Sequence, residues 1–179
     1  MEKEKTLKSE KIYEGKIISL KIDTVELPDK KYSKREIVEH PGAVGVVVVN
    51  EKNNVVLIKQ YRKAIEDFLL EIPAGKIELN EDPYDTALRE LKEETGYTAS
   101  SLTKLLSFYT SPGFANEIIH VYVALDVEAG DATPDLGEHL EIVELPIDTV
   151  LQMIKEDKIK DAKTVTAILA YLQFIKQVK

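Results

Sequence analysis

The chain contains no cysteine, which excludes disulfides, a thiol nucleophile and any thiolate-held metal centre. Histidine is almost as scarce. Three residues, His40, His120 and His139, are scattered along the chain, and that argues against a zinc centre built on imidazoles. Long apolar runs are missing too: none approaches the roughly 20 residues needed to span a bilayer. The first residues, Met1-Glu2-Lys3-Glu4-Lys5, are charged rather than apolar, so a soluble cytoplasmic protein without a membrane partner is expected. Positive charge is in deficit. With 24 Lys and Arg against 32 Asp and Glu, the formal net charge is -8, which opposes broad attraction to nucleic acid or anionic membranes. A phosphorylated ligand would therefore need a local cation, and any metal would be held by carboxylates.

No internal repeat, low-complexity tract or long Gly/Ser linker divides the chain, and its length of 179 residues with 44% hydrophobic content suits one compact catalytic core. The apolar pattern is mainly of short strands with a few helices. Residues 11–27 and 35–40 read as amino-terminal strands separated by a turn at Pro28-Asp29-Lys30-Lys31, forming a small antiparallel strand subdomain over 1–41. The valine-rich runs Ala43 to Val49 and Val55 to Lys59 flank the polar turn Asn50-Glu51-Lys52-Asn53-Asn54 and open the central sheet of a main domain over 42–179. Further strands are expected at Leu105 to Tyr109, Glu117 to Val127 and Leu140 to Leu145, with helices near 147–156 and 163–177. The fold class is α+β.

One stretch carries chemistry: Gly75-Lys76-Ile77-Glu78-Leu79-Asn80-Glu81-Asp82-Pro83-Tyr84-Asp85-Thr86-Ala87-Leu88-Arg89-Glu90-Leu91-Lys92-Glu93-Glu94-Thr95-Gly96-Tyr97. Asp82 suits a helix N-cap, Pro83 the first helical position, and Asp85 adds negative charge to the first turn. Gly96 suits the stop. Tyr84, Ala87, Leu88 and Leu91 recur at helical offsets and give an apolar face to bury. Glu90, Glu93 and Glu94 lie on another face, three or four residues apart, where like charges repel by about 0.2–0.5 kcal/mol per pair. A hard divalent cation such as magnesium would turn that repulsion into coordination, with substrate phosphates and water completing the shell. Arg89 could pair with one glutamate and orient it. Taken alone, three clustered glutamates also fit an ordinary solvated helix face.

The glycines and spacing favour the metal. The stretch resembles the Nudix box, in which Gly75, Glu81, Arg89-Glu90-Leu91, Glu93-Glu94 and Gly96 all fall in register; Tyr97 stands where the box has an aliphatic residue, and it keeps apolar bulk. The resemblance implies a Nudix α/β/α sandwich with a mixed central sheet, and a Mg2+-dependent hydrolase (Mn2+ a possible substitute) of nucleoside diphosphates linked to another group. By position in the box, Glu90 and Glu94 are the metal ligands, with the main-chain carbonyl of Ala74 a further one. Glu93 is a ligand or close supporter, Glu81 lies at the rim, and Arg89 belongs to the catalytic set.

Outside the box, Lys59-Gln60-Tyr61-Arg62, Glu71-Ile72-Pro73-Ala74-Gly75 and Ser111-Pro112-Gly113-Phe114 resemble segments of ADP-ribose pyrophosphatases, and Pro112 sits sixteen positions beyond Gly96. Arg62 could grip phosphate in a bidentate contact, and Glu71 could take hydrogen bonds from a sugar or hold the arginine. A simple Arg62–Glu71 salt bridge is the alternative, and an ordinary turn is the alternative for Pro112-Gly113. The same resemblance implies a homodimer whose amino-terminal strands help enclose adenine, with Tyr13, Tyr32, Arg35 and Glu36 as candidates; each aromatic could instead pack on its own sheet.

Related pyrophosphatases carry a catalytic or metal-binding glutamate in an acidic loop like Asp131-Ala132-Thr133-Pro134-Asp135-Leu136-Gly137-Glu138-His139-Leu140-Glu141. Glu138 is the first choice for the base and Glu141 the second, against a purely polar loop. His139 reads as incidental, and His40 and His120 as structural. The expected reaction is hydrolysis of ADP-ribose to AMP and ribose 5-phosphate. Another nucleoside diphosphate sugar such as GDP-mannose, or a noncatalytic nucleotide sensor on the same fold, are the alternatives.

Overall fold

The computed structural model describes residues 2–134, Gly137 and residues 139–176. They form two compact units, one comprising residues up to Gly42 together with Tyr109–Ile118, the other comprising Ala43–Phe108 and the chain from Ile119 onward.

In the first unit, β1 (Lys5–Glu14), β2 (Ser19–Glu26) and β3 (Tyr32–Glu39) form an antiparallel sheet in that order. The continuous pattern expected over residues 11–27 is thus two strands. The chain reverses at Gly15, whose N–H donates to the Ile18 carbonyl at 2.9 Å, because a glycine breaks an alternation that otherwise runs through it. The turn at Pro28-Asp29-Lys30-Lys31 forms where expected, with Lys30 at φ 65 and the Leu27 N–H bonded to Lys31 O at 2.8 Å. Every residue of β1 is exposed, so this strand contributes neither face to the unit's interior. Residues 109–118 dock on β3: the Val38 N–H donates to Phe114 O at 2.8 Å and the Asn116 N–H to Val38 O at 3.1 Å.

The second unit is built on a seven-stranded mixed sheet. Its strands are β4 (Ala43–Val49), β5 (Asn54–Arg62), β6 (Asp67–Glu71), β7 (Ala74–Lys76), β9 (Thr103–Tyr109), β10 (Ile118–Ala124) and β12 (Leu140–Pro146), and short β8 (Thr98–Ala99) and β11 (Val127–Glu128) pair separately. The backbone order is β12-β5-β4-β10-β9, with β10 parallel to β4 and β12 antiparallel to β5. Strands β4 and β5 pair only beside their hairpin, at Val48↔Val56 and Val49↔Val55. Beyond that point they part, and β6 takes up β5 while β7 takes up β4. Neither β6 nor β7 is expected from periodicity, since five and three residues hold too little pattern to read.

Period-two alternation sorts the core into two layers. Val44, Val46 and Val48 of β4, Val56 of β5 and Tyr122 and Ala124 of β10 face one way and pack with Ala87 and Leu91 of α1 (Pro83–Thr95). Val47, Val49, Val55, Leu57, Val121 and Val123 face the other way. They pack with Ile147 and Val150 of α2 (Ile147–Lys155) and with Ala167, Ile168 and Tyr171 of α3 (Ala162–Tyr171). Helix, sheet and helix therefore make the expected α/β/α sandwich. The last helix differs in detail from the run expected over 163–177: it ends at Tyr171 and widens into a π-helical turn, Leu172–Lys176, which keeps Leu172 and Ile175 against the same apolar layer. No helix among the described residues is long and apolar enough to cross a membrane.

Helix α1 begins and ends on local signals. The Asp82 carboxylate accepts from the Tyr84 N–H at 2.8 Å, Pro83 occupies the first turn, and Gly96 at φ 74 donates its N–H to Lys92 O at 2.9 Å. Burial then fixes its orientation, because Ala87 and Leu91 have no exposed surface. Truncating Leu91 to Ala should cost about 2–5 kcal/mol of stability in urea unfolding. A loss under about 1 kcal/mol would mean that burial of this face does not hold the helix.

Candidate active site

With the apolar face of α1 turned to the sheet, Arg89, Glu90, Glu93 and Glu94 project from the remaining arc. Arg89 does more than steady one glutamate. Its Nε and Nη2 hold Glu81 in a two-pronged contact at 2.9 and 3.0 Å, and its Nη1 reaches Glu90 at 2.7 Å and Glu93 at 2.9 Å. One guanidinium thus gathers three carboxylates. The bond to Arg89 holds the Glu81 carboxyl down to about 2, and its carboxylate partners, Glu81 foremost, raise Arg89 in turn.

Two of the box glutamates, Glu90 and Glu94, meet the short strand β7. A Cβ on Gly75 would lie 1.9 Å from the Glu90 carboxylate, so only glycine lets this side chain reach the strand so closely. Glu94 is buried at 3% exposure and accepts the Ala74 N–H at 2.7 Å. Sequence reasoning proposed the Ala74 carbonyl as a donor to metal; the contact present is the same residue's amide, bonded to one of the two expected ligands. The C-terminal end of α1 also holds the lead into the acidic loop. The Thr133 N–H donates to Glu93 O at 2.9 Å, and a Cβ on Gly96 would come within 2.3 Å of the Gly130 carbonyl.

Beside these lies a second charged group. The guanidinium of Arg62, at the end of β5, clasps Glu71 with Nε to Oε1 and Nη2 to Oε2, both at 2.7 Å. Glu71 is fully buried. Burial alone would raise its carboxyl, yet Arg62 and Lys163 together outweigh that and hold it below the usual range. Lys163, which no sequence signal marked, donates to Glu71 Oε2 and sits 3.1 Å from Asp161. Asp161 caps α3 by accepting from the N–H and hydroxyl of Thr164 at 2.9 and 2.6 Å. The Thr164 hydroxyl in turn accepts the Ile72 N–H at 2.8 Å. Arg62 is raised first by Glu71 and also by the charges of Asp161 and Glu94, so the arginine feels the field of Glu94 on α1. Gln60 lies two residues before it, hence on the same face of β5, with a buried Oε1 that has no hydrogen-bond partner among the described residues.

Arg35, Glu36, Pro112 and Gly113 belong to the first unit. Arg35 is bonded to Glu4 at 2.5 and 3.0 Å and to the Ser33 hydroxyl at 2.9 Å, while Glu36 follows it on β3 and so faces the opposite side of the sheet. Tyr13 and Tyr32 are exposed, and do not contribute to a core in this chain. Pro112 and Gly113 lie in a turn closed by the Phe114 and Ala115 N–H groups on Ser111 O at 3.1 and 2.9 Å. Glu141 lies on β12, 3.5 Å from Lys59, and with His139 borders an open cavity of about 340 Å³. Glu138 lies outside the described residues. His120 is engaged with the Ser107 hydroxyl at 2.9 Å, and His40 Nδ1 accepts the Gly42 N–H at 3.1 Å.

The donors on α1 and β7 are hard oxygens, the type that suits magnesium or manganese. Among the described residues no three acidic or histidine side chains converge as a ready-made cage, because Arg89 is inserted among three of the carboxylates. The arrangement therefore stores negative charge under one compensating cation. A carboxyl depressed in the folded chain stabilises it above the carboxyl's unfolded pKa and loses that contribution as pH falls through the folded value. In metal-free buffer, stability should accordingly decline as pH falls from about 4.5 towards about 2, and Glu81→Gln should flatten that decline in urea unfolding. An unaltered pH slope in Glu81→Gln would show that this contact is not coupled to folding.

Comparison with known proteins agrees with this architecture. The NUDIX domain model matches residues 39–168, and the nucleoside diphosphate sugar hydrolase N-terminal domain model matches residues 4–38. The chain is 51% identical to the methanol dehydrogenase activator of Bacillus methanolicus, covering 98% of this chain and 96% of that one. It is 49% identical to an ADP-ribose pyrophosphatase of Bacillus subtilis (95% and 92%) and 34% identical to a GDP-mannose pyrophosphatase of Escherichia coli (94% and 94%). A crystal structure of an ADP compounds hydrolase superposes with a TM-score of 0.87 at 23% identity, over 99% of this chain and 97% of that one, which speaks for the fold. With the box in register on α1, the mixed sheet beneath it and a domain match across most of its length, the chain belongs to the Nudix hydrolase family.

Proposed function

We propose that the protein hydrolyses ADP-ribose to AMP and ribose 5-phosphate with magnesium. The observation that carries this reading is the place of Glu94 on α1, bonded to the Ala74 N–H of β7 at 2.7 Å and near enough to Arg62 to act on its charge, which joins a place for divalent metal to a cation for phosphate. The 49% identity to an ADP-ribose pyrophosphatase supports the choice of substrate. Glu90 and Glu94 are the residues to hold the metal, with the Ala74 carbonyl and Glu93 beside them. When bound, the metal supplies neutralisation of the diphosphate and a lowered pKa for the attacking water. Arg89 restrains Glu90 and Glu93 against their mutual repulsion, and Glu81 fixes Arg89 from the other side. Arg62 faces the diphosphate while Glu71, buried with both oxygens engaged, acts through the arginine rather than on a sugar.

In the reaction water adds to one phosphorus, the bridging P–O bond breaks, and the second phosphate departs with its sugar. The proton of the water passes to a carboxylate, for which Glu138 stands first and Glu141 second. Arg35, Glu36, Pro112 and Gly113 are assigned to the nucleoside side. The homodimer proposed for the chain rests on β1, whose residues are all exposed and include Leu7, Ile12 and Tyr13; a second copy would cover them. A cytoplasmic setting accords with this substrate.

A second reading is favoured by the 51% identity to a methanol dehydrogenase activator: action on a dehydrogenase. A hydrolysis panel of ADP-ribose, GDP-mannose and nicotinamide dinucleotide with magnesium in oxygen-18 water, alongside a purified dehydrogenase assay, separates these possibilities. Release of the nucleoside monophosphate should be fastest from ADP-ribose, with the label marking the attacked phosphorus. Glu94→Gln should lower turnover beyond the roughly 100-fold that marks loss of a group supporting a ligand, with unchanged thermal unfolding. Tight binding without turnover across the panel would reject catalysis.

A further inference from the structure

The four residues Arg62, Glu71, Lys163 and Asp161 form a chain of alternating charge, and its outer end is positive. Arg62 has a side chain 41% exposed, whereas Glu71 is 1% exposed and Lys163 12%. Nε and Nη2 of Arg62 are turned inward to Glu71, and among the described residues its Nη1 makes no hydrogen bond. Behind Glu71, Lys163 bonds the same Oε2 that Arg62 Nη2 uses, and Asp161 holds Lys163 at 3.1 Å while capping α3. The terminal negative charge therefore rests on the positive end of a helix dipole, so the sequence runs from helix N-terminus through Asp161, Lys163 and Glu71 to the exposed guanidinium. The strand carrying Glu71 is tied to the same helix turn through the Ile72 N–H and Thr164 hydroxyl.

We propose that Lys163 is a positioning residue for substrate diphosphate, acting through Glu71 on Arg62. A lone Arg62–Glu71 pair would be neutral, and with Asp161 nearby the group would be net negative. Lys163 cancels that excess and occupies one side of Oε2, which leaves Arg62 with a single seat and its free edge outward. Removing the lysine leaves two carboxylates for one guanidinium, which then shifts between them, loses its fixed Nε–H bond to Glu71 and no longer holds its free edge towards an anionic ligand. The inference rests on the reading that Arg62 faces phosphate, and extends it to a residue 92 positions from Glu71.

The test compares the full chain with Lys163→Met, Lys163→Arg, Arg62→Lys and the double variant Arg62→Lys/Lys163→Met, using ADP-ribose and magnesium. Lys163→Met should raise KM about tenfold or more with kcat within about threefold. Lys163→Arg should restore KM to within about threefold. In the double variant the two losses should fail to multiply, because both act on one guanidinium. Multiplying losses, or an unchanged KM in folded Lys163→Met, would overturn the proposal. If Lys163→Met does not fold, a tenfold rise of KM in folded Lys163→Arg would overturn it as well. A substrate-free readout stands beside these: hydrogen exchange of the Arg62 Nε–H by nitrogen-15 NMR should be slow in the parent, about tenfold faster in Lys163→Met or in a Glu71→Gln variant, and slow again in Lys163→Arg. Equal exchange in the parent and both neutralised variants would reject the positioning role even if the parent hydrolysed nothing on the panel, an outcome that by itself would count only against the choice of substrate.

Discussion

One guanidinium carries much of the electrostatic burden of this site. Glu81, Glu90 and Glu93 all bond to Arg89, and without that cation the half-buried polar arc of α1 would place several negative charges within one or two helical turns. The helix could still bury Ala87 and Leu91, but its glutamates would splay apart from repulsion. With Arg89 in place, Glu81, Glu90 and Glu93 share one cation, and Glu90 lies against β7 at Gly75. The pair Glu94 and Ala74 extends the same design inward, where a main-chain amide donates to the carboxylate.

The sheet makes this proximity possible by parting. After two residue pairs beside their hairpin, β4 and β5 separate and the chain returns between them as β6, a bend at Ile72-Pro73, and β7. That return brings Glu71 to the base of Arg62 and Gly75 to the carboxylate of Glu90. A bend that exposed its polar backbone inside the core would be unfavourable, and it is closed on both sides: the Val46 N–H bonds Pro73 O at 2.9 Å, and the Ile72 N–H bonds the Thr164 hydroxyl at 2.8 Å. Helix α3 thus does more than cover an apolar layer. Its first turn secures the strand exit that separates the two charged groups.

Both groups follow the same physical rule, in that each buried or half-buried carboxylate is matched by a donor of fixed geometry. Arg89 and Arg62 use the forked guanidinium for this, which a lysine could not reproduce. Lys163 serves where a point charge suffices. The negative net charge of the chain makes these local cations necessary for any anionic substrate, since the surrounding field would otherwise repel it.

Helix α1 was legible residue by residue, because Asp82, Pro83, Gly96 and the spacing of its apolar face are local instructions that act within a few residues. Strand β4 was legible for the same reason, its valines being buried on both faces as an unbroken apolar run implies. Residues 11–27 read as one strand because alternation continues on both sides of Gly15, and only pairing shows that the chain turns back on itself. Strand β7 was invisible, since Ala74-Gly75-Lys76 acquires strand character solely from its partners Ala43 to Gly45. The amino-acid sequence by itself determined the helix, its carboxylates and the family to which they belong. Tertiary structure alone decided that Arg89 binds three glutamates rather than one, that Glu71 is buried behind Arg62, and that Lys163 completes the pair, because contacts across 92 residues depend on how the sheet parts and not on any local pattern.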